Sequence, residues 1–386
     1  MNGMTRLSPD APHRTKSLVL LIAWAIFGAF PSDSLSEEAL LKPFGGVCYG
    51  PFREGQQPGG TYPSEADIRE DLSILSSLAS VIRTYGTESI LFNISEYCND
   101  IGLGCYPGAW IGGDSTADWQ QISNLVQIAD QGFDTTKLLI VGNETVQFNR
   151  TSKTQLIAYI EHVKSNSVAP VATAENWYIW TDPEHNDLAD SVDVIGMHCH
   201  PYWDGIAAGS AAQYVLDKYQ AVTNAHPGKR VIVMETGWPT AGSSNGAAIP
   251  SIGNQRLFLA ELDSIVRENN LDVFVFEYAD EPWKSGEPNG VGSHWGLLDK
   301  DREMKDGLEH LLSRHTRFLD ISHEHVWLRT YEGNHYTLFS CTNLLSPDWV
   351  VVTNFEGVDA TNKTQIPIDQ AIDDKKCAVF MSIIDL

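Results

Sequence analysis

The sequence predicts an α/β fold, a (β/α)8 TIM barrel over residues 43–314, followed by a small C-terminal all-β appendage over residues 318–386. Three observations carry this reading. From Gly45 onward, short apolar runs alternate with segments whose apolar residues recur at three- and four-residue spacing. Eight such runs occur before Arg314, the number that closes a parallel barrel. Beyond Arg314 the helical spacing stops and strand-like alternation alone remains. At 386 residues the chain has room for a barrel of about 250 residues and a further unit.

The strands read as Gly46–Tyr49, Val81–Tyr85, Tyr106–Ile111, Leu138–Val141, Val168–Thr173, Val192–Met197, Arg230–Met234 and Val273–Tyr278. The third contains Pro107, which has no N–H to give to a ladder and so weakens that assignment. Helices between them read as Ser64–Leu78, Trp119–Asp130, Ser152–Lys164, Ala211–Asn224 and Asn254–Glu268, with Glu303–Leu312 closing the ring as the eighth. In the appendage, strands read as Val326–Tyr331, His335–Phe339, Trp349–Thr353 and Ala378–Ile383. Turn formers such as Glu332–Gly333–Asn334 and Glu356–Gly357 separate them. Trp327, Tyr331, Tyr336 and Trp349 are spaced as core residues of a small sandwich more than as a sugar-binding face. No Pro/Ser-rich linker precedes this unit, so it is expected to pack against the barrel.

Residues 1–36 read as a targeting segment, either a signal peptide or an N-terminal anchor. Arg6, Arg14 and Lys16 precede an apolar run from Leu18 to Phe30, which is shorter than the roughly 20 residues that span a bilayer comfortably. A secreted, periplasmic or cell-wall-associated protein is therefore expected. In such a chain the spacing of the six cysteines supports two bridges, Cys98–Cys105 and Cys341–Cys377, with Cys48 and Cys199 as buried thiols. With 26 lysines and arginines against 50 acidic residues, the net charge of −24 excludes nucleic acid and anionic lipid as natural partners. A neutral polymer is indifferent to that sign. A monomer is expected.

Active sites of (β/α)8 barrels lie at the C-terminal ends of the strands. Two glutamates stand there after apolar runs, Glu144 in LLIVGNET and Glu235 in VIVMETGWP. One such residue reads equally well as a surface glutamate at a loop start. Two of them, on the fourth and seventh strands, point to paired carboxylates that divide acid/base and nucleophilic work.

The segments GVCYGP (46–51), VIRTYG (81–86), VGNE (141–144), VDVIGMHCHPYW (192–203), ETGWPT (235–240), FEYADEPWK (276–284) and HWGLLD (294–299) occur in the order found in glycoside hydrolase family 17. The chain resembles that family over roughly Gly45 to Leu312. The resemblance implies cleavage of β-1,3-glucan with retention, with transglycosylation by the same two glutamates as the alternative. It makes Glu144 the acid/base and Glu235 the nucleophile, with a neutral β-glucan as substrate and no cofactor. A proton on Glu144 is expected to be favoured by partial desolvation and by the second carboxylate. Asn143 resembles the family asparagine that bonds the sugar 2-hydroxyl, and Arg83 the residue that orients Glu235, although a buried arginine also reads as charge compensation. By the same resemblance Tyr49, Tyr85, His200 and Tyr202 line the cleft, and Glu281 and Lys284 support the sugar. Trp203, Trp238, Trp283 and Trp295 follow strand ends, where sugar stacking and core packing are equally open. His198 departs from the family, many of whose members carry asparagine there. His198 and His200 lack further ligands of evident spacing, so no metal centre is expected.

Overall fold

The computed structural model describes residues 44–308 and, beyond them, the backbone of six strands. The chain divides into two compact units, with the break between Arg314 and His315. The targeting segment 1–36 and Cys377 lie outside the described residues, as does the side chain of Cys341, so the Cys341–Cys377 pairing is outside them too.

The first unit is a parallel barrel of nine strand segments: β1 (Phe44–Cys48), β2 (Ala79–Arg83), β3 (Gly104–Tyr106), β4 (Gly108–Ala109), β5 (Leu139–Asn143), β6 (Val171–Asn176), β7 (Val194–His198), β8 (Arg230–Thr236) and β9 (Val273–Val275). They pair in the order β3-β2-β1-β9-β8-β7-β6-β5-β4. The two outermost segments are halves of one barrel strand, interrupted at Pro107. β3 pairs with β2 and β4 with β5, while the Pro107 carbonyl accepts the Ile140 N–H at 2.9 Å. Proline thus shortens the third strand without removing it. The fifth starts later than its apolar run, because Pro170 cannot donate and Val168 is fully exposed.

Helices α1 (Glu65–Leu78), α3 (Ser115–Asp130), α4 (Lys153–Ser165), α7 (Ala208–Ala225) and α8 (Ile252–Asn269) match the periodic segments. Ser64, Asp114, Ser152 and Ser251 cap α1, α3, α4 and α8 by accepting first-turn N–H groups. Short helices α2 (Ile94–Asp100), α5 (Trp177–Thr181) and α6 (Asn186–Ser191) complete the set. The expected helix at Glu303–Leu312 does not form over its described part. Met304 bridges to Leu298, and Gly307 adopts a φ of 75°, which breaks helical continuation; residues 309–312 lie outside the described residues.

Alternation along the strands produces two apolar layers. Cys48, Ile140, Ala172, Val194, Ile232, Met234 and Phe274 fill the barrel interior, while Val47, Val141, Val171, Ile195 and Val233 pack outward under the helices. The expected Cys98–Cys105 bridge is not formed. Cys98 on α2 and Cys105 on β3 are adjacent, buried free thiols, packed in that outer core as small apolar residues.

The second unit contains two three-stranded antiparallel sheets. One is β10 (Phe318–Ile321), β11 (His325–Arg329) and β14 (Lys363–Pro367), in the order β10-β11-β14; the other is β12 (His335–Cys341), β13 (Val350–Glu356) and β15 (Ala378–Ile384), in the order β13-β12-β15. Sequence alternation finds four of these six strands and misses β10 and β14.

Candidate active site

Both glutamates owe their position to an extra residue in their strand. Between Met197↔Val233 and His198↔Glu235, β8 advances by two residues while β7 advances by one. Such a bulge re-aims the side chains that follow it, and Glu235 turns toward the cleft although Met234 before it already faces the barrel interior. β5 does the same against β6, where Asn143 rather than its predecessor meets Ala174. Gly142 takes a φ of 82° at that point, a conformation that disfavours any side chain. Glu144 follows at a φ of 51°, an uncommon left-handed position for a glutamate.

That strained turn is held from outside. The Glu144 N–H donates to the Ala174 carbonyl at 2.8 Å, and the buried carboxylate of Glu175, on β6, accepts from Val146 N–H at 2.7 Å and Gln147 N–H at 3.1 Å. Burial pushes the Glu175 carboxyl from the ordinary 4.5 up to about 7; the backbone donors oppose this and the charge of Glu144 adds to it. The folded state therefore binds a proton that the unfolded chain releases, so this group's contribution to stability falls as pH rises from 4.5 through about 7. Glu175→Gln is expected to flatten that part of the dependence of Tm on pH. An unaltered slope in the variant would show that the group titrates elsewhere.

Glu235 is buried. Its Oε1 accepts from Arg83 Nη1 at 3.2 Å and from the Tyr85 hydroxyl at 2.9 Å, and its Oε2 lies 3.1 Å from His200 Nε2. Burial opposes its charge but is outweighed by its polar surroundings, the hydrogen bond from His200 and the guanidinium of Arg83 among them, which hold the carboxyl well below the usual carboxylate range. Glu144 is more accessible, with 19% of its side chain exposed. Its Oε1 lies 3.1 Å from His198 Nδ1. Arg83 is completely buried and also donates through Nη1 to the Met234 carbonyl at 3.1 Å and through Nη2 to Asn143 Oδ1 at 2.7 Å. One guanidinium thus fixes both the nucleophile candidate and the asparagine beside the acid candidate.

Glu144, His198 and Glu235 bring one ligand atom each within 4.8 Å of one another. That donor set suits a metal, but Arg83 already occupies it electrostatically by donating to Glu235 and to His198 Nε2, and a cation there would have to displace a fixed positive charge. One oxygen of each carboxylate lies within 4.8 Å of the other, which is compatible with the roughly 5–5.5 Å carboxyl spacing of retaining glycosidases.

Other residues expected in the cleft divide into two groups. Trp203 and Trp283 are 38% and 39% exposed, and Tyr85 and His200 touch Glu235 directly. Trp295 is buried and packs edge-on against His200 at 5.2 Å between ring centroids. By contrast, Tyr49 spends its hydroxyl on buried Asp71, Tyr202 donates to the Ser243 carbonyl, and Trp238 donates to the Ile249 carbonyl. These three are core supports rather than free sugar contacts. Glu281 and Lys284 are also buried: Lys284 Nζ lies 2.7 Å from Glu281 and 2.5 Å from Glu277. A side chain at Gly50, just past β1, would meet the Glu281 carboxylate, so glycine there leaves this cluster its room. No role for Glu175 or Glu277 follows from the sequence. Glu175 carries the same signal as the two chosen glutamates, a carboxylate ending an apolar strand.

The fold and this site define a (β/α)8 barrel with a two-carboxylate cleft at the C-terminal ends of its strands. The chain belongs to the BtgE/BtgC glycoside hydrolase domain family, whose sequence model matches residues 46–296. It is 28% identical over 310 residues to a glucan endo-1,3-beta-glucosidase btgC of Emericella nidulans, covering 71% of this chain and 47% of that protein. The chain therefore spans about half the length of the curated relatives it matches. Among solved structures, it resembles the glycoside hydrolase family 17 beta-1,3-glucanosyltransferase from Rhizomucor miehei, with 28% identity and a TM-score of 0.61 over 69% of this chain and 96% of that one. An endo-laminarinase from Formosa shares the fold at 20% identity and a TM-score of 0.63, over 72% of this chain and 90% of that one.

Proposed function

We propose that this chain is a retaining β-1,3-glucan-active enzyme of the glycoside hydrolase family 17 type, with Glu144 as acid/base and Glu235 as nucleophile. The observation that carries the proposal is the asymmetry of two neighbouring carboxylates. Glu235 is buried and held ionised, whereas Glu144 is partly exposed. In the first step Glu144 gives a proton to the glycosidic oxygen as a Glu235 oxygen bonds the anomeric carbon and the leaving sugar departs. In the second, Glu144 takes a proton from the incoming hydroxyl, whose oxygen displaces Glu235. Asn143, oriented by Arg83, is available to the sugar 2-hydroxyl.

Water in the second step gives hydrolysis; a sugar hydroxyl gives transfer. The endo-1,3-beta-glucosidase relative supports the first and the glucanosyltransferase structure supports the second. A time course on defined laminari-oligosaccharides tests both. Shorter products alone mean hydrolysis and longer ones mean transfer, while intact substrate throughout would sink the proposal. Trp203 and Trp283 supply exposed ring faces for pyranose stacking. Replacing either by alanine is expected to raise KM roughly tenfold, a loss of about 1.4 kcal/mol, with a smaller change in kcat. An unchanged KM would return that tryptophan to a packing role.

We propose export as well, supported by the basic residues before the Leu18–Phe30 apolar run. Fractionation of the producing cell and N-terminal sequencing test it; a cytosolic chain that keeps its N-terminus would overturn it.

A further inference from the structure

We propose that His198 is a positioning residue, a neutral imidazole with its proton on Nδ1, which pins Glu144 and links it through Arg83 to Glu235. The inference rests on the functional reading above for its catalytic part and on geometry alone for its tautomer.

His198 is completely buried, and its two ring nitrogens face different partners. Nε2 lies 2.9 Å from Arg83 Nη1, and Nδ1 lies 3.1 Å from Glu144 Oε1. A guanidinium has donors and no acceptor. At 2.9 Å the Arg83–His198 contact is a hydrogen bond only if Nε2 offers its lone pair, because a proton there would set two donors against each other. The ring proton therefore sits on Nδ1 and is donated to Glu144 Oε1. Glu235 Oε1, at 3.5 Å from Nε2, takes its hydrogen bonds from Arg83 and Tyr85 instead.

The charged and titratable groups facing this imidazole are Arg83 from β2, Glu144 just past β5, Glu235 from β8, and His200 just past its own strand at 6.3 Å between ring centroids. Two consequences follow. With Oε1 engaged, Glu144 has Oε2 left to carry the proton that meets the sugar, so the working oxygen is selected. The Nδ1–H also keeps the same oxygen engaged in both steps, as Glu144 changes from acid to base. When Glu235 becomes glycosylated its charge disappears, and the Arg83 charge behind His198 is no longer compensated. The same wire then strengthens the donor toward Glu144 as its role changes from acid to base.

Two variants and one spectrum test this. Asparagine can place an amide N–H near the position of Nδ1, whereas leucine removes both contacts. His198→Leu is expected to lower kcat on laminari-oligosaccharides by roughly 10²-fold, the scale of a misplaced reacting group, with a smaller change in KM. The alkaline limb of kcat/KM, set by loss of the Glu144 proton, should move to higher pH, because a donor to the carboxylate is gone. His198→Asn should recover much of kcat and bring the limb back toward the parent. A limb that moves to lower pH in the leucine variant would mean that His198 accepts the Glu144 proton instead, and an unmoved limb would mean that it only fills space; either overturns the proposal. In the ¹⁵N-histidine-labelled parent protein, with the resonance assigned by its loss in His198→Asn, the shifts should show a neutral Nδ1–H ring. A neutral Nε2–H ring or an imidazolium overturns the inference without any assay. A parent enzyme inactive on every β-glucan would instead count against the functional reading and leave the tautomer to be decided by the spectrum.

Discussion

Glu235→Gln is expected to lower turnover on laminari-oligosaccharides by roughly 10⁴-fold or more, the largest effect of any single substitution in this protein. The amide is nearly the same size and shape as the carboxylate, so the loss is chemical. A neutral oxygen cannot attack the anomeric carbon effectively, and no glycosyl-enzyme forms. The parent side chain is held ionised by Arg83, Tyr85 and His200, which bond it in a buried place. The glutamine carbonyl can still accept from Arg83 or Tyr85, and Arg83 keeps its bonds to the Met234 carbonyl and Asn143, so the fold should persist. Circular dichroism and a retained cooperative melt check the fold. Mass spectrometry after incubation with a slow substrate checks the chemistry: the variant should carry no sugar adduct. Near-parental turnover in a folded variant would remove Glu235 from the nucleophile role.

The barrel was legible because its signal is local. Apolar runs such as Leu138–Val141 and amphipathic stretches such as Ser152–Lys164 each specify their own element, and capping serines mark where helices begin. Where the structure departs from the sequence pattern, longer-range effects decide. Glu303–Leu312 has a helical look, but its described part pairs back to Leu298 and turns at Gly307. Cys98 and Cys105 are placed close in space by α2 and β3, yet proximity alone does not oxidise two thiols. Tyr49, Tyr202 and Trp238 sit in motif segments and still point their polar atoms at Asp71, Ser243 and Ile249, which no spacing rule reveals. Glu144 and Glu235 are legible as strand-end carboxylates, but Glu175 carries the same signal, so position alone does not single them out. What could not be read was the bulge that aims each of them, since an extra residue in one strand is visible only against its neighbour. Nor could the pairing of His198 with both Arg83 and Glu144 be read, because 115 positions separate the histidine from the arginine.

Glu144→Ala is expected to separate the two halves of catalysis. On natural glucans, whose leaving group is a sugar alcohol, the first step needs a proton from Glu144, and activity should fall by roughly 10²–10⁴-fold. An aryl β-glycoside with an acidic phenol leaves without that proton, so its first step should be nearly unaffected. The second step still lacks a base to take the proton from water, so the glycosyl-enzyme on Glu235 should accumulate and the phenol should appear as a burst followed by a slow phase. Azide needs no base, because it attacks as an anion, and the deleted side chain leaves room in a position that is partly open to solvent. Added azide should therefore speed the slow phase and yield a glycosyl azide. Its anomeric configuration should match that of the substrate, since both displacements invert at the same carbon. Loss of Glu144 also leaves His198 Nδ1 without its carboxylate partner, but Arg83 still bonds Nε2 and Glu235, so the nucleophile should keep its geometry. The outcome that would overturn the assignment is an equal loss on both substrate classes with no response to azide. A glycosyl azide of opposite configuration would place the nucleophile elsewhere and contradict retention itself.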